Sequence, residues 1–192
     1  MICLNNLSQE EIQNIGHDIA NAFLSEPGCF SVLDKDVASR MFAIIVETCY
    51  ETGHLYTTSE KQEGYCVHWS KKERPGFFVQ AKMVWKMITQ LPLRTAVMLK
   101  DSQNQWKPTE VRYKHSRDFE EVFLLVVRKD YQGQGYFREM LEEVFDIAKS
   151  RGTITVLDTD SINKANKYEH VGMTIVDRCV QQSGIEMFAL EK

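Results

Sequence analysis

The sequence predicts an α/β protein with a mixed sheet. In the last third of the chain, strand-like apolar runs alternate with helical patterns in the order strand, helix, strand, helix, hairpin. That alternation is typical of α/β folds. The composition, 43% hydrophobic and 26% charged, is ordinary for a folded protein. A chain of 192 residues also fits one domain of about 100–200 residues. We therefore expect a single domain over residues 1–192.

Two helices are predicted at the beginning of the chain. Ser8 and Glu11 have the spacing of a capping box, in which each side chain accepts a backbone N–H from the other residue. Apolar residues then recur at helical spacing until Pro27 and Gly28 end the run. The same periodicity predicts a second helix over residues 34–51. Two strands follow, at 54–59 and 64–70.

The middle of the chain carries no recognisable motif. After a break at Pro75-Gly76, the spacing predicts helices over 77–89 and from 93 to about 103. Residues 104–118 are predicted to be a loop or an irregular helix. The aromatic residues of this region could line a pocket, but because they recur at helical spacing, core packing is the expectation for them. They are Phe77, Phe78, Trp85 and Trp106.

The last third of the chain gives the clearest pattern. Apolar residues at i, i+3, i+4, i+7, i+8 and i+11 predict a helix over 136–149. Ser161 has the position of a cap for a short helix that reaches residue 170. The strands are predicted at 119–127, 153–157, 173–180 and 185–190, the last two forming a hairpin.

Charge and composition exclude several classes of function. The chain has 27 acidic and 23 basic residues, a net charge of −4, so a nucleic-acid partner is not expected. The longest aliphatic and aromatic runs, 41–46 and 122–127, fall far short of the ~20 residues of a membrane helix, so no membrane partner is expected either. No signal peptide is visible. Five cysteines without a C-x-x-C pair suggest reducing cytoplasm, and scattered histidines predict no metal site.

A short loop with two glycines is the most informative local feature. Gly133 and Gly135 lie between the predicted strand 119–127 and the helix that follows. Glycines let a ligand approach the main chain, and a helix N-terminus directs unpaired N–H groups at an anion. The loop therefore suggests a backbone-built phosphate site, although a plain glycine turn is the alternative.

A dinucleotide-binding turn is a second alternative for this loop. Asp158 lies where a ribose-binding acid would be expected after the following strand. Two details oppose that interpretation. Arg138 occupies the third glycine position, and residues 128–132 separate the strand from the first glycine.

Two ordered motifs resemble the GNAT superfamily of acyl-CoA-dependent N-acetyltransferases. The family pattern Q/R-x-x-G-x-G/A is matched from Gln132 to Gly135, with Phe137 at the last position. The later pattern resembles N-x-x-A followed by Y-E-x-x-G-F. Asn163, Ala165 and residues 168–173 stand in that order, but Asn163 and Ala165 are not at the commonest spacing from the tyrosine, and methionine replaces the final phenylalanine. The resemblance covers about residues 119–190.

The resemblance implies a single mixed, mostly antiparallel sheet with helices on both faces. The strands at 119–127 and 153–157 would splay apart, and acetyl-CoA would lie between them as the co-substrate, without a metal. Residues 119–192 would form the acyl-CoA core, and residues 1–118 the acceptor side. The N–H group of Val126 or Val127 would bind the thioester oxygen. The other implied cofactor-binding residues are Gln132, Gly133, Gln134, Gly135, Tyr136, Phe137 and Asn163.

Glu121 and Tyr168 are the predicted catalytic residues. An alkyl amine with a pKa of ~10.4 is mostly protonated at pH 7, so a base assists its attack. Glu121 lies 11 residues before Gln132, as does the base of histone-modifying members of the superfamily. On a regular strand it would share a face with Phe123, Leu125 and Val127, while Glu120 points away. Tyr168 stands at the family's general acid, which protonates the leaving thiolate.

The acceptor is not encoded by any motif. The order of elements in residues 1–118 resembles the antibiotic-acetylating branch, which favours a small-molecule amine, but polyamines, amino acids, peptides and proteins stay open. A monomer or homodimer is expected. Two alternative functions remain, a non-catalytic acyl-CoA-binding module or sensor and a dinucleotide-dependent oxidoreductase.

Overall fold

The computed structural model describes residues 1–95, 97, 105–106, 108–113 and 115–192, with residue 110 described by its backbone alone. Residues 93–95 and 97 are helical, and the rest of the helix predicted over 93–103 lies outside the described residues. The elements are β1 (Ile2–Cys3), α1 (Gln9–Leu24), α2 (Lys35–Glu51), β2 (Leu55–Thr57), β3 (Gly64–Ser70), α3 (Phe77–Gln90), α4 (Thr109–Tyr113), β4 (Phe119–Val127), a 3-10 turn (Lys129–Tyr131), α5 (Tyr136–Arg151), β5 (Ile154–Thr159), α6 (Ile162–Glu169), β6 (Thr174–Val180) and β7 (Glu186–Glu191).

One seven-stranded sheet runs through the molecule. Its strand order is β1-β2-β3-β4-β5-β7-β6. The β4–β5 pair is parallel, and the other pairs of described strands are antiparallel. This confirms the predicted mixed, mostly antiparallel sheet. It also differs from the doubly wound parallel sheet that a dinucleotide-binding domain requires.

Helices cover both faces of the sheet, as the resemblance implied. On one face, α1 and α2 pack over Leu124 and Val126 of β4. On the other, α5 and α6 pack over Val127. The predicted capping box at the start of α1 is present. α1 and α2 approach closely at Gly16, where a Cβ atom would lie 2.6 Å from the backbone nitrogen of Ala43.

The expectation that the aromatic residues of α3 belong to the core is wrong. Phe77, Phe78 and Trp85 are strongly exposed, whereas Trp106 is buried. α3 packs on the outside of α2 and contributes Met83 and Met87 to the edge of the α1–α2 core. Helical spacing predicts an apolar stripe but does not say which side of the helix meets the protein, so the stripe was assigned to the wrong side.

β4 contains a bulge that the sequence did not predict. Val67 of β3 pairs with Leu124, but the next residue, His68, pairs with Val122. Phe123 is therefore an extra residue on β4, and the alternation of side chains changes phase there.

The bulge corrects the expected orientation of Glu121. Its carboxylate contacts Trp69, which packs in the core beneath α1 and α2. Leu125 and Val127, beyond the bulge, pack in the opposite core beneath α5 and α6. The prediction that Glu121 shares a face with Leu125 and Val127 is wrong, because it assumed an unbroken alternation along the strand.

Candidate active site

A cleft opens where β4 and β5 part. The two strands pair only from Phe119–Ile154 to Glu121–Val156. Beyond that point β4 continues along β3, and β5 continues along β7. Main-chain groups on the facing edges of β4 and β5 are thereby released from sheet hydrogen bonding. The cleft measures about 1900 Å³ and is lined by both strands, by the glycine loop and by α6.

The directions of the β4 amides follow from one hydrogen bond. The N–H of Arg128 donates to the carbonyl oxygen of Glu63, at the β3 side, over 2.9 Å. Because these directions alternate along an antiparallel strand, the N–H of Val126 also points to β3, and those of Val127 and Leu125 point into the cleft. The geometry thus favours Val127 over Val126 as an oxyanion donor.

Leu125 joins Val127 as a backbone donor that sequence reasoning missed. Its N–H faces the cleft two residues closer to the point where the strands part. The alternation alone was available from the sequence, but its phase was not. That phase depends on which strand lies on each side of β4.

The glycine loop has the backbone conformation that an anion site needs. Gly133 and Gly135 have φ values of 76° and 96°, in the region that glycine adopts readily. A Cβ atom at either position would meet no described atom within 4 Å, so the space beside the main chain is open. Gly135 is the N-cap of α5, and no side chain among the described residues caps it.

The first turn of α5 therefore offers N–H groups to the cleft. Its first three N–H groups, at Tyr136, Phe137 and Arg138, precede the first main-chain bond inside the helix, which Glu139 donates to Gly135. All three residues line the cleft, together with Gln132. The arrangement suits a phosphate or pyrophosphate without requiring a lysine.

Two glutamine side chains hold the loop that precedes α5. The side-chain amide of Gln132 donates to the carbonyl oxygen of Val127 at 3.2 Å, which ties the loop to the end of β4. Gln134 donates similarly to Asp130 at 3.1 Å but does not line the cleft. The glycine loop is thus held from within its own segment.

Tyr168 lies on the cleft with its ring against Phe137, the centroids 5.2 Å apart. Burial raises the pKa of its hydroxyl, and Cys66, Asp160 and Glu26 raise it further. Tyr168 therefore stays protonated at neutral pH. No hydrogen bond joins this hydroxyl to another residue of the described chain, so its proton is available to a ligand. Asn163, one turn earlier on α6, also lines the cleft.

Glu121 lies at the vertex where β4 and β5 separate, and it is only 8% exposed. Its Oε2 atom accepts a hydrogen bond from the indole N–H of Trp69 at 2.7 Å. The guanidinium of Arg74 lies 3.7 Å from the same oxygen. Glu121 is not among the described residues that line the cleft, whereas Phe123, two positions further along β4, lines it.

Asp160 connects the loop between α1 and α2 to α6, a role that the sequence did not indicate. Its Oδ2 atom accepts the N–H of Cys29, in the loop between α1 and α2, at 2.6 Å. Its Oδ1 atom pairs with Lys164 at 2.6 Å. A Cβ atom on Gly28 would lie 2.3 Å from Oδ2, so a larger residue there would force the Asp160 carboxylate to shift. No local pattern links residues that lie 131 positions apart.

An aromatic group from α1, α2 and the loop between them forms much of one wall of the cleft. The ring of Phe23 stacks on Phe42 with centroids 5.0 Å apart, and Phe30 contacts both rings edge-on at 5.7 and 5.3 Å. All three residues line the cleft, as does Phe123. The nearby carboxylate of Glu26 is paired with Lys167 at 2.6 Å. This wall is apolar with its charges already paired.

The described part of the chain contains no group of three or more histidine, cysteine, aspartate or glutamate side chains arranged to hold a metal ion. None of its helices combines the length and apolar character needed to cross a bilayer.

Comparisons with known proteins agree with this architecture. A model of the acetyltransferase (GNAT) family matches residues 45–172. No match was found among curated proteins. An N-acetyltransferase from Staphylococcus aureus Mu50 superposes with a TM-score of 0.59 at 16% identity, over 96% of this chain and 97% of that chain.

Two other solved structures have the same fold. Arylalkylamine N-acetyltransferase 2 from Aedes aegypti gives a TM-score of 0.59 at 9% identity, over 98% of this chain and 96% of that chain. A chain of the NatC complex bound to Gag peptide and CoA gives 0.50 at 17% identity, over 99% and 94%. Identities this low establish a shared fold and leave the acceptor open.

Proposed function

We propose that this chain, which belongs to the acetyltransferase (GNAT) family, transfers an acetyl group from acetyl-CoA directly to a primary amine. One observation carries the proposal. The cleft between β4 and β5 brings together strand amides that face the cleft, an open glycine loop at a helix N-terminus and the protonated hydroxyl of Tyr168. Each of these has a separate task in acyl transfer.

The residues present fit acetyl-CoA, which would supply the acetyl thioester. The N–H groups of residues 132–137 would hold the pyrophosphate, since the backbone there is open and the helix N-terminus favours negative charge. The N–H groups of Leu125 and Val127 would bind amide and thioester oxygens along β4. Phe137 replaces a small residue of the family motif but keeps its N–H.

The proposed reaction moves three protons. The neutral amine attacks the carbonyl carbon, a C–N bond forms, the C–S bond breaks, and the proton that the nitrogen then loses returns to the oxygen of Tyr168. Tyr168 donates its proton to the leaving sulfur, for which its raised pKa and unengaged hydroxyl are suited. Glu121 receives the ammonium proton through water, because it lies where β4 and β5 separate but does not itself line the cleft.

The acceptor we propose is a small amine with an apolar body. The wall formed by Phe23, Phe30 and Phe42 supports this, because apolar surface buried there contributes about 25 cal/mol per Å². The carboxylate of Asp160 is already bonded to Lys164 and to a backbone N–H. A polycationic acceptor would have to displace such pairs. We also propose a cytoplasmic location, since no disulfide joins any two of the five cysteines.

The test measures CoA thiol release with a panel of primary amines, from arylalkylamines to polyamines and peptides. We expect turnover to be highest for amines with an apolar body. Mass spectrometry of the product should show the amine with one added acetyl group. Tight acetyl-CoA binding without release for any amine would instead indicate a non-catalytic binding module. Thermal stabilisation by NAD but not by CoA would contradict both interpretations.

A further inference from the structure

Phe137 places a large ring next to the proposed acid. It lies in the first turn of α5, at the position where the family pattern has glycine or alanine. Its ring contacts that of Tyr168, in the last turn of α6, with the centroids 5.2 Å apart and the ring planes tilted by 54°. Aromatic pairs favour separations of about 4.5–7 Å. Both residues line the cleft, so this contact lies within the site.

The backbone of Tyr168 is anchored from the side of the core. Its carbonyl oxygen accepts the N–H of Val171 at 3.1 Å and that of Met173 at 3.2 Å. Met173 is buried in the core beneath α5 and α6. These bonds hold the end of α6, but they leave the side-chain torsions of the tyrosine undetermined.

Packing, rather than hydrogen bonding, holds the ring of Tyr168. Its hydroxyl has no hydrogen-bond partner in the part of the chain that the structure describes. Phe137 and Tyr168 are both partly buried, and both pack on the core cluster beneath α5 and α6. Because close-packed side chains restrict one another, the ring of Phe137 limits how far the tyrosine ring can turn.

We propose that Phe137 is a positioning residue, whose ring holds the phenol of Tyr168 in the orientation for proton transfer to the leaving sulfur. This inference rests on the proposed acetyl transfer and adds to it a residue that acts through another. Proton transfer needs the two heavy atoms within about 2.6–3.2 Å, so a small rotation of the phenol slows the chemical step. The main-chain N–H of Phe137 serves the cofactor separately, and every residue except proline supplies that group.

Phe137→Ala separates the ring from the main chain. Because the N–H group is kept, we expect the acetyl-CoA Kd to stay unchanged. We expect kcat to fall by about 10–100-fold, of the order that a misplacement of ~1 Å costs. Phe145→Ala is the matched control, since Phe145 is partly buried on α5, packs on the same cluster and is not among the described residues that line the cleft. It should lower the melting temperature similarly and leave kcat unchanged.

A double-mutant cycle with Tyr168→Phe shows whether the ring acts through the hydroxyl. Once the hydroxyl is removed, Phe137 has no proton donor to orient. Phe137→Ala combined with Tyr168→Phe should therefore have the same kcat as Tyr168→Phe alone, a coupling that independent sites do not show. Phe137→Leu removes the flat ring but keeps apolar bulk, so it should fold even if the alanine variant does not. Its loss of kcat should likewise be absent in the Tyr168→Phe background.

Three outcomes with an active unaltered protein would overturn this inference alone. The first is that neither Phe137→Ala nor Phe137→Leu lowers kcat. The second is that the losses multiply in the double variant, so that Phe137 acts independently of the hydroxyl. The third is a higher acetyl-CoA Kd as the sole change, which would assign the ring to cofactor binding.

Two other results reach further than Phe137. An active Tyr168→Phe enzyme would remove Tyr168 from the mechanism, and the positioning role of Phe137 with it. An unaltered protein that releases no CoA with any amine would contradict the proposed function itself.

Discussion

The glycine loop and the proposed acceptor wall, which comprises Phe23, Phe30 and Phe42 with the loop between α1 and α2, line the same cleft but are built differently. The loop works through its own backbone, since Gly133 and Gly135 adopt positive φ and the N-terminus of α5 follows within the same segment. The acceptor wall depends on contacts between distant segments, such as Cys29 with Asp160. A binding site made of local backbone leaves a motif in the sequence, whereas one made of long-range contacts does not.

This contrast also separates two kinds of mutational effect. Changes on the acyl-CoA side should alter cofactor affinity or the chemical step. Changes on the acceptor side should alter recognition of the amine and leave acetyl-CoA binding intact. The following variants test that separation, beginning with the largest expected effect.

Tyr168→Phe removes the proposed acid and keeps the ring packed against Phe137. We expect kcat to fall by about 10²–10⁴-fold, the usual contribution of a positioned acid, while the acetyl-CoA Kd stays unchanged. Steady-state kinetics and calorimetry measure the two quantities. Tyr131→Phe, also on the cleft, is the control and should retain its activity. An active Tyr168→Phe enzyme would remove this residue from the mechanism.

The pH dependence gives a second measure of the same residue. Burial raises the pKa of Tyr168 above its ordinary value of about 10, and the protonated form is the active one. Loss of its proton should therefore not lower kcat below about pH 10. A decline near pH 8 that disappears in Tyr168→Phe would contradict the raised pKa.

Glu121→Gln should lower kcat by about 10²-fold at pH 7 if the carboxylate receives the amine proton. The deficit should shrink as pH rises, because more of the amine is then already neutral. Glu73→Gln is a control on another carboxylate, which pairs with Arg151 instead. An equal loss at every pH would assign Glu121 a positional role through Trp69 and Arg74.

Gly135→Ala should raise the acetyl-CoA Kd by about tenfold, since a side chain at φ 96° costs about 1–2 kcal/mol and disturbs the N-terminus of α5. Gly53→Ala is matched to it. Gly53 has φ 72°, and a Cβ there also meets no described atom within 4 Å. Both variants should lose similar stability on heating, but only the first should bind acetyl-CoA weakly. Equal affinities would mean that the loop does not hold the cofactor.

Gly28→Ala should have the smallest effect of these variants, and it should act on the acceptor KM rather than on acetyl-CoA affinity. Its Cβ would press on Asp160, and relief of that overlap costs about 1 kcal/mol or more. We expect the acceptor KM to rise about fivefold, which corresponds to ~1 kcal/mol, with acetyl-CoA affinity unchanged. Gly76→Ala, at a position without neighbours within 4 Å among the described atoms, should change neither quantity. A weaker acetyl-CoA Kd in Gly28→Ala would break the separation between the two sides.

Sequence reasoning succeeded where the relevant information is local. The bounds of β3 and β4 were predicted to the residue, and α1, α2 and α5 within two residues. The apolar periodicity of each element and its glycine, proline or serine boundary are encoded in a few neighbouring positions. The same holds for the glycine loop, whose conformation depends on the residues that form it. The short strand β1 was missed, because two residues carry no periodicity.

The failures occurred where a neighbour in space decides. The side of α3 that meets the protein carries Met83 and Met87 and forms two ion pairs with α2, so the opposite side faces solvent. The face that Glu121 occupies is fixed by a bulge opposite Val67 and His68. Neither partner lies within the segment concerned. An amphipathic or alternating pattern therefore gave the correct element and the wrong orientation.

The opening between β4 and β5 shows the same division. By itself, the sequence determined the two strands, the loop and the helix that bound the cleft, because torsional preference and apolar spacing act over a few residues. Only the tertiary structure decided which amides of β4 face the cleft, since that depends on the side where β3 binds. It also decided that Asp160 holds the loop between α1 and α2, because contacts between distant segments exist only once the chain has folded.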